Sequence, residues 1–247
     1  MKTSLLLSVM LAYSIGAHAA SSPSAPHWSY EGNAGPDHWA ELSADFQTCH
    51  NGKFQSPIDI RHTIEGRLPP LNLEFHTAAE NLVNNGHTLQ VNVDDEDDFT
   101  LDGETFRLKQ YHFHTPSENQ IDGHSYPLEA HFVHANADGE IAVIAVMFEV
   151  GKENTALNPI IAAMPKQINQ EVVVKQRMDL NPLFPEDRHY YRFSGSLTTP
   201  PCTEGLRWLV MKHPVTLSQS QLHDFQLALK NSNNRPLQPL HGRLIVE

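Results

Sequence analysis

The chain has 247 residues, with 29 acidic side chains against 17 basic ones and a formal charge of −12 when histidine is neutral. That balance argues against a nucleic-acid partner and against binding to anionic membrane surfaces through overall charge. After the first residues, no stretch approaches the length of a membrane helix, so no membrane insertion is expected.

Residues 1–19 read as a signal peptide. Lys2 supplies the positive start, residues 5–11 most of an apolar core too short to span a bilayer, and Ala17-His-Ala19 a small-x-small cleavage site before Ala20. Residues 20–247 then form one exported domain, periplasmic or secreted, long enough to bury a sizeable core. A short Ser-, Ala- and Pro-rich leader covers 21–26. Strand-like segments follow at 72–75, 88–93, 99–101, 106–112 and 128–134. The continuous apolar run at 141–148 is expected to be a strand buried on both faces. Helical signals are confined to 155–163 and 218–230, the latter with Leu222, Phe225 and Leu229 on one side. The acidic cluster from Asp94 to Asp98 lacks the glycine and ligand spacing of a calcium loop and reads as a solvated turn. Two cysteines, Cys49 and Cys202, in an exported chain favour a disulfide over free thiols. Such a bridge would pin the loop before Cys202 to the N-terminal region. The expected fold is mainly β, with short peripheral helices.

The informative residues are histidines. In Gln110-Tyr-His-Phe-His114 a strand turns Gln110, His112 and His114 to one face. In Glu129-Ala-His131, seventeen residues further on, Glu129 and His131 share a face with Val133. If the two segments are neighbouring strands, three imidazoles converge. Three histidines with one open position form a common ligand set for catalytic zinc. Gln110 and Glu129 are placed to accept from the rings of His112 and His131, which fixes a ligand and raises its basicity. His87 follows Asn85-Gly86, itself a hairpin signal, so these residues alone leave it equally a turn residue or a proton carrier.

An ordered series of motifs runs through nearly the whole mature chain: His27-Trp-Ser-Tyr30, Gly35-Pro-Asp-His-Trp39, Gln55-Ser-Pro-Ile-Asp-Ile60, Asn84-Asn-Gly-His87, the two histidine segments, Gly195-Ser-Leu-Thr-Thr-Pro-Pro201 and Asn234-Arg-Pro236. In these the chain resembles the alpha-class carbonic anhydrases, in particular the exported bacterial ones. The resemblance implies a single domain around a large, twisted, mostly antiparallel sheet. It implies reversible hydration of carbon dioxide to bicarbonate and a proton, by attack of zinc-bound hydroxide on CO2, and it admits a side activity on activated esters. Carried over position by position, it makes His112, His114 and His131 the Zn2+ ligands, with Gln110 and Glu129 behind them. Thr198 becomes the residue that orients the hydroxide, Glu118 its relay partner, and Thr199 a holder of bicarbonate. His87 becomes the proton shuttle, with Tyr30, Asn85 and Gln90 along the water path. Val133, Val143, Leu197, Leu206 and Trp208 become the apolar wall for CO2. The resemblance further implies cis peptides at Ser56-Pro57 and Pro200-Pro201, and it admits a homodimer although no segment marks an interface. One departure stands out: Asn119 follows Glu118 where the family often has histidine. A catalytically dead binding protein on the same fold is disfavoured because these residues are intact. A zinc-storage protein is disfavoured because the histidines form no tract.

Overall fold

The computed structural model describes residues 26–73, 75, 79–93, 98–174 and 179–247. The expected signal peptide, the leader up to residue 25 and acidic residues 94–97 lie outside the described residues. Twelve strands follow in chain order: β1 (Asp59–Ile60), β2 (Ala79–Asn84), β3 (Leu89–Val93), β4 (Asp98–Leu101), β5 (Glu104–His114), β6 (Gln120–Ile121), β7 (Leu128–Ala135), β8 (Ile141–Val150), β9 (Glu171–Val173), β10 (Tyr190–Ser196), β11 (Glu204–Met211) and β12 (Val215–Leu217). Ten of them build one sheet in the order β10-β11-β8-β7-β5-β3-β2-β9, with β4 added to β5 and β12 to β8. The pairs from β2 through β3, β5 and β7 to β8 are antiparallel, whereas β11 and β12 join β8 in parallel. The sheet is therefore mixed, with β1 and β6 forming a separate parallel pair.

β8 shows why the central strands read as they do. Residues 142–148 are all buried, and successive side chains enter two different cores. Ile144, Val146 and Phe148 join Phe113, Phe132 and Phe225 in the larger core. Val143, Ala145 and Met147 face the opposite way, against Ile58, Ile60, Trp208 and Val210. Burying a large apolar side chain is worth about 1.5–3 kcal/mol. The larger core thus carries most of the hydrophobic stabilisation, which leaves the second face free to hold polar groups.

The helices are short: α1 (Trp39–Leu42), α2 (Thr48–Asn51), α3 (Asn158–Ala162) and α4 (Gln219–Leu229). α4 begins in a capping box between Ser218 and Gln221 and buries Leu222 and Phe225. The helix expected over 155–163 divides into a 3₁₀ turn, Thr155–Leu157, and α3. The strand expected at 72–75 does not form at described residues 72, 73 and 75. Its apolar alternation instead serves the core directly: Phe75 stacks on Phe184 at 4.8 Å and Leu73 packs against the same cluster. Alternation alone cannot supply a ladder partner. Cys49 and Cys202, 153 residues apart, form a disulfide that joins α2 to the loop after β10. Ser56-Pro57 and Pro200-Pro201 are cis, as is Thr115-Pro116.

Candidate metal centre

Register brings the histidines together. β5 and β7 pair antiparallel with His112 opposite His131 and His114 opposite Glu129, and directly opposed residues share a face. The same row runs on from His112 to Gln90 on β3 and from His131 to Ala145 on β8. The adjacent row places Gln110, Val133, Val143 and Trp208 side by side across four strands. A β-bulge between Leu108 and Gln110 resets the register just before the histidines. It is the kind of irregularity that re-aims side chains beside a site.

Two of the imidazoles are fixed by a hydrogen bond through one nitrogen, and the third lies against a carboxylate. His112 Nδ1 lies 2.8 Å from Gln110 Oε1, and His114 Nδ1 lies 2.7 Å from the carbonyl of Asn233. His131 Nε2 lies 2.9 Å from Glu129 Oε1. The nitrogens left over are His112 Nε2, His114 Nε2 and His131 Nδ1. One ligand atom from each ring can be chosen so that all three lie within 4.8 Å of one another, the one such cluster among the described residues. Burial holds all three rings below the ordinary histidine pKa; mutual repulsion among the rings adds to this for His112 and His131. Neutral imidazoles with a free lone pair are what a metal requires. His114 Nε2 is buried without a hydrogen-bond partner, as is His131 Nε2, whose 2.9 Å approach to Glu129 Oε1 is an ion-pair contact without hydrogen-bond geometry. A buried polar atom so placed is costly unless something binds it. This donor set fits zinc.

Glu129 is fully buried and would be expensive as an unpaired charge. Its Oε2 accepts from the backbone N–H groups of Glu118 (2.6 Å) and Asn119 (2.9 Å), and its Oε1 from Asn119 Nδ2 (2.8 Å). Burial still raises its pKa, with the Asn119 side chain the strongest opposing influence. Asn119 Oδ1 also accepts from the N–H of Ile58 at 3.1 Å. The residue that departs from the family pattern therefore ties Glu129 to the start of β1.

Glu118 lies between the histidines and the loop after β10. Its Oε2 is 3.5 Å from His114 Nε2 and 3.9 Å from His131 Nδ1. Its Oε1 accepts from the backbone N–H of Arg235 at 2.9 Å. Burial pushes its pKa up to about 8, opposed by the Arg235 N–H and by a hydrogen bond from the Thr198 side chain.

The loop that carries Thr198 and Thr199 is tied at both ends. Leu197 N–H donates to Thr203 O, and Cys202 N–H to Thr199 O, each at 2.9 Å. Trp208 Nε1 donates to Ser196 O at 3.0 Å. At Gly195 a Cβ would sit 2.2 Å from Ser56 Oγ and 2.7 Å from Trp208 Cδ1, so this close approach admits only glycine.

These elements enclose a cavity of about 170 Å³. Its walls include the three histidines, Gln110, Tyr30, Asn85, His87, Gln90, Thr198 and Thr199 on the polar side. Val133, Val143, Leu197 and Trp208 form the apolar side. Leu206, expected on that wall, does not line the cavity; it is buried behind it, in the cluster with Val143 and Trp208. Glu118 and Glu129 also lie behind the lining. His87 sits in the hairpin between β2 and β3, where Asn85 Oδ1 accepts from its N–H and from that of Thr88. Its ring stacks on Trp28 with centroids 3.7 Å apart and planes within 8°. Burial first, then the neighbouring His27, lowers its pKa.

Trp28 and Asn233 are partners that pattern reading did not assign. Trp28 was visible only as part of a motif. Asn233 holds His114 from 119 residues away, and no local period links the two.

The site is thus a three-histidine centre at the foot of a half-apolar cavity, on the face of a ten-stranded mixed sheet. The family model described as eukaryotic-type carbonic anhydrase matches residues 34–247. A carbonic anhydrase of Pectobacterium carotovorum is 48% identical over 246 residues, covering 100% of both chains. The alpha-carbonic anhydrase of Thermovibrio ammonificans, solved with the inhibitor sulfanilamide, superposes with a TM-score of 0.88 at 45% identity, covering 91% of this chain and 100% of that one. The alpha-carbonic anhydrase of Photobacterium profundum gives a TM-score of 0.85 at 50% identity, covering 90% and 100%. The chain belongs to the alpha-class carbonic anhydrase family.

Proposed function

We propose that the protein catalyses the zinc-dependent, reversible hydration of carbon dioxide to bicarbonate and a proton. The observation that carries this reading is the trio of imidazoles, two fixed by a hydrogen bond through one nitrogen and the third set against Glu129, converging beneath an apolar wall. His112, His114 and His131 would hold the zinc. When bound, the ion acts as a Lewis acid that makes water a nucleophile near neutral pH, a property for which carbonic anhydrase is itself the reference case.

The protein groups then divide the work. The hydroxyl of Thr198 has one proton; by donating it to Glu118 it turns a lone pair toward the nucleophile and orients it. With a metal held by the histidines, the ionised form of Glu118, which can accept, would be favoured against its burial. Val133, Val143, Leu197 and Trp208 offer CO2 a surface that competes poorly for water. Thr199 helps to hold bicarbonate. His87, whose pKa is lowered by burial and then by His27, offers an imidazole to take up the departing proton along a path lined by Tyr30, Asn85 and Gln90. Signal-peptide cleavage after residue 19 and residence outside the cytoplasm complete the reading, supported by the Cys49–Cys202 bridge.

The test is stopped-flow CO2 hydration with zinc content measured on the same sample. One zinc per chain with rapid hydration is expected. A zinc-loaded, folded protein without hydration activity refutes the reading.

A further inference from the structure

We propose that Arg235 is a positioning residue for this reaction, holding Glu118 where it accepts the Thr198 hydroxyl. The inference rests on the roles given above to Glu118 and Thr198. Two parts of Arg235 are involved. Its backbone N–H donates to Glu118 Oε1 at 2.9 Å. Its side chain fixes that backbone: Nη1 donates to Gln55 Oε1 (2.9 Å) and Ser56 O (2.8 Å), and Nη2 donates to Cys49 O (2.9 Å). The guanidinium lies 5.4 Å over the ring of Trp39. Gln55 in turn donates to Cys202 O at 3.0 Å. One buried cation thus gathers both halves of the disulfide and the segment before Pro57 onto the residue that touches Glu118.

The chemistry of this clamp is unusual for a purely cohesive role. Arg235 is only 2% exposed, yet each of the side-chain acceptors named above is a neutral oxygen. An apolar side chain here would leave the oxygens of Gln55, Ser56 and Cys49 without this donor. The arginine therefore has a cohesive role as well, which the comparison of backgrounds below separates from positioning. Five donors in a rigid fork do suit the fixing of one peptide against several carbonyls. Burial lowers the pKa of this guanidinium, with the neighbouring Glu118 opposing.

The experiment uses the zinc-loaded full chain with its disulfide intact. Arg235→Met and Arg235→Lys are compared with wild type, alone and combined with Glu118→Gln. The readouts are kcat/KM for CO2 hydration and the zinc dissociation constant. In the wild-type background kcat/KM should fall by about 10–100-fold for Arg235→Met and less for Arg235→Lys, as is typical for groups that support a metal site from behind. The zinc dissociation constant should stay within about threefold, since the clamp does not touch a ligand. In the Glu118→Gln background the same substitution should cost less than about twofold, because a residue acting only through Glu118 has nothing left to position. An equal factor in both backgrounds, or an unchanged kcat/KM in Arg235→Met, overturns the proposal. If Arg235→Met does not fold, Arg235→Lys carries the same cycle. Wild-type protein that binds zinc but hydrates no CO2 would sink the functional reading; additive losses in an active enzyme sink only the role of Arg235.

Discussion

Asn119→Ala would sever two bonds of different kinds, and the structure fixes the cost of each. The first is the donation from Nδ2 to Glu129 Oε1 at 2.8 Å; a hydrogen bond to a charged group contributes about 1.5–3 kcal/mol. The second is acceptance from the N–H of Ile58, a residue with no exposure. Leaving that donor buried and unpaired costs about 1–3 kcal/mol. The backbone bonds from Glu118 and Asn119 to Glu129 Oε2 remain, so the carboxylate is loosened rather than released. The net loss should be about 3–5 kcal/mol. Equilibrium urea unfolding of the zinc-free protein, disulfide intact, measures it as a fall in midpoint at constant slope. Because Glu129 Oε1 lies 2.9 Å from His131 Nε2, zinc affinity should also weaken by about tenfold. A stability loss under about 1 kcal/mol with unchanged zinc affinity would refute the reasoning, because it would mean that neither bond contributes as its burial implies.

Four further outcomes follow from the same geometry. His114→Ala should abolish stoichiometric zinc and nearly all hydration, read by metal analysis and stopped flow; full activity in a metal-free variant would sink the assignment. His87→Ala should slow turnover in dilute buffer, with partial restoration by added imidazole, whereas equality with wild type removes the shuttle role. His134, buried with Nδ1 2.9 Å from Phe132 O, has its pKa lowered by burial from 6.5 to about 4. The unfolded chain therefore binds a proton below pH 6.5 that the native state refuses, so stability is full above that pH and falls by about 3 kcal/mol toward pH 4; His134→Gln should flatten that part of a stability-versus-pH curve. Reduction of the Cys49–Cys202 bridge should lower the thermal midpoint, and an unchanged midpoint with two titratable thiols in untreated protein contradicts the bridge.

What was legible in the sequence was what repeats locally. Period-2 alternation placed His112 and His114 on one face, and the unbroken apolar run at 141–148 marked the strand with two buried faces. The bounds of β3, β4, β7 and β8 lay near those expected, because their side chains point into cores that force the pattern. Local alternation marks no strand over β10 or β11. Nor did local periodicity reveal the parallel placement of β11 beside β8, since nothing along a strand encodes which neighbour it will find. Gln110 and Glu129 were readable as histidine partners because they lie two residues from their rings. Asn233 and Arg235 were not readable in that way: their contacts cross more than a hundred residues, and only the fold closes that distance. Leu206 illustrates the converse. The family resemblance assigned it to the cavity wall, whereas it is buried in the cluster with Val143 and Trp208 and does not line the cavity.

The bond from His114 Nδ1 to the carbonyl of Asn233 sets the order in which the centre can be completed. A nascent chain lengthens from its N-terminus, so all three histidines emerge about a hundred residues before the acceptor that selects the tautomer of His114. Until residue 233 arrives, the middle ring is free to offer either nitrogen, and Thr115 lacks the Asn233 Oδ1 that holds its N–H at 2.8 Å. A chain that stops short of residue 233 is left with three histidines but an unfinished site.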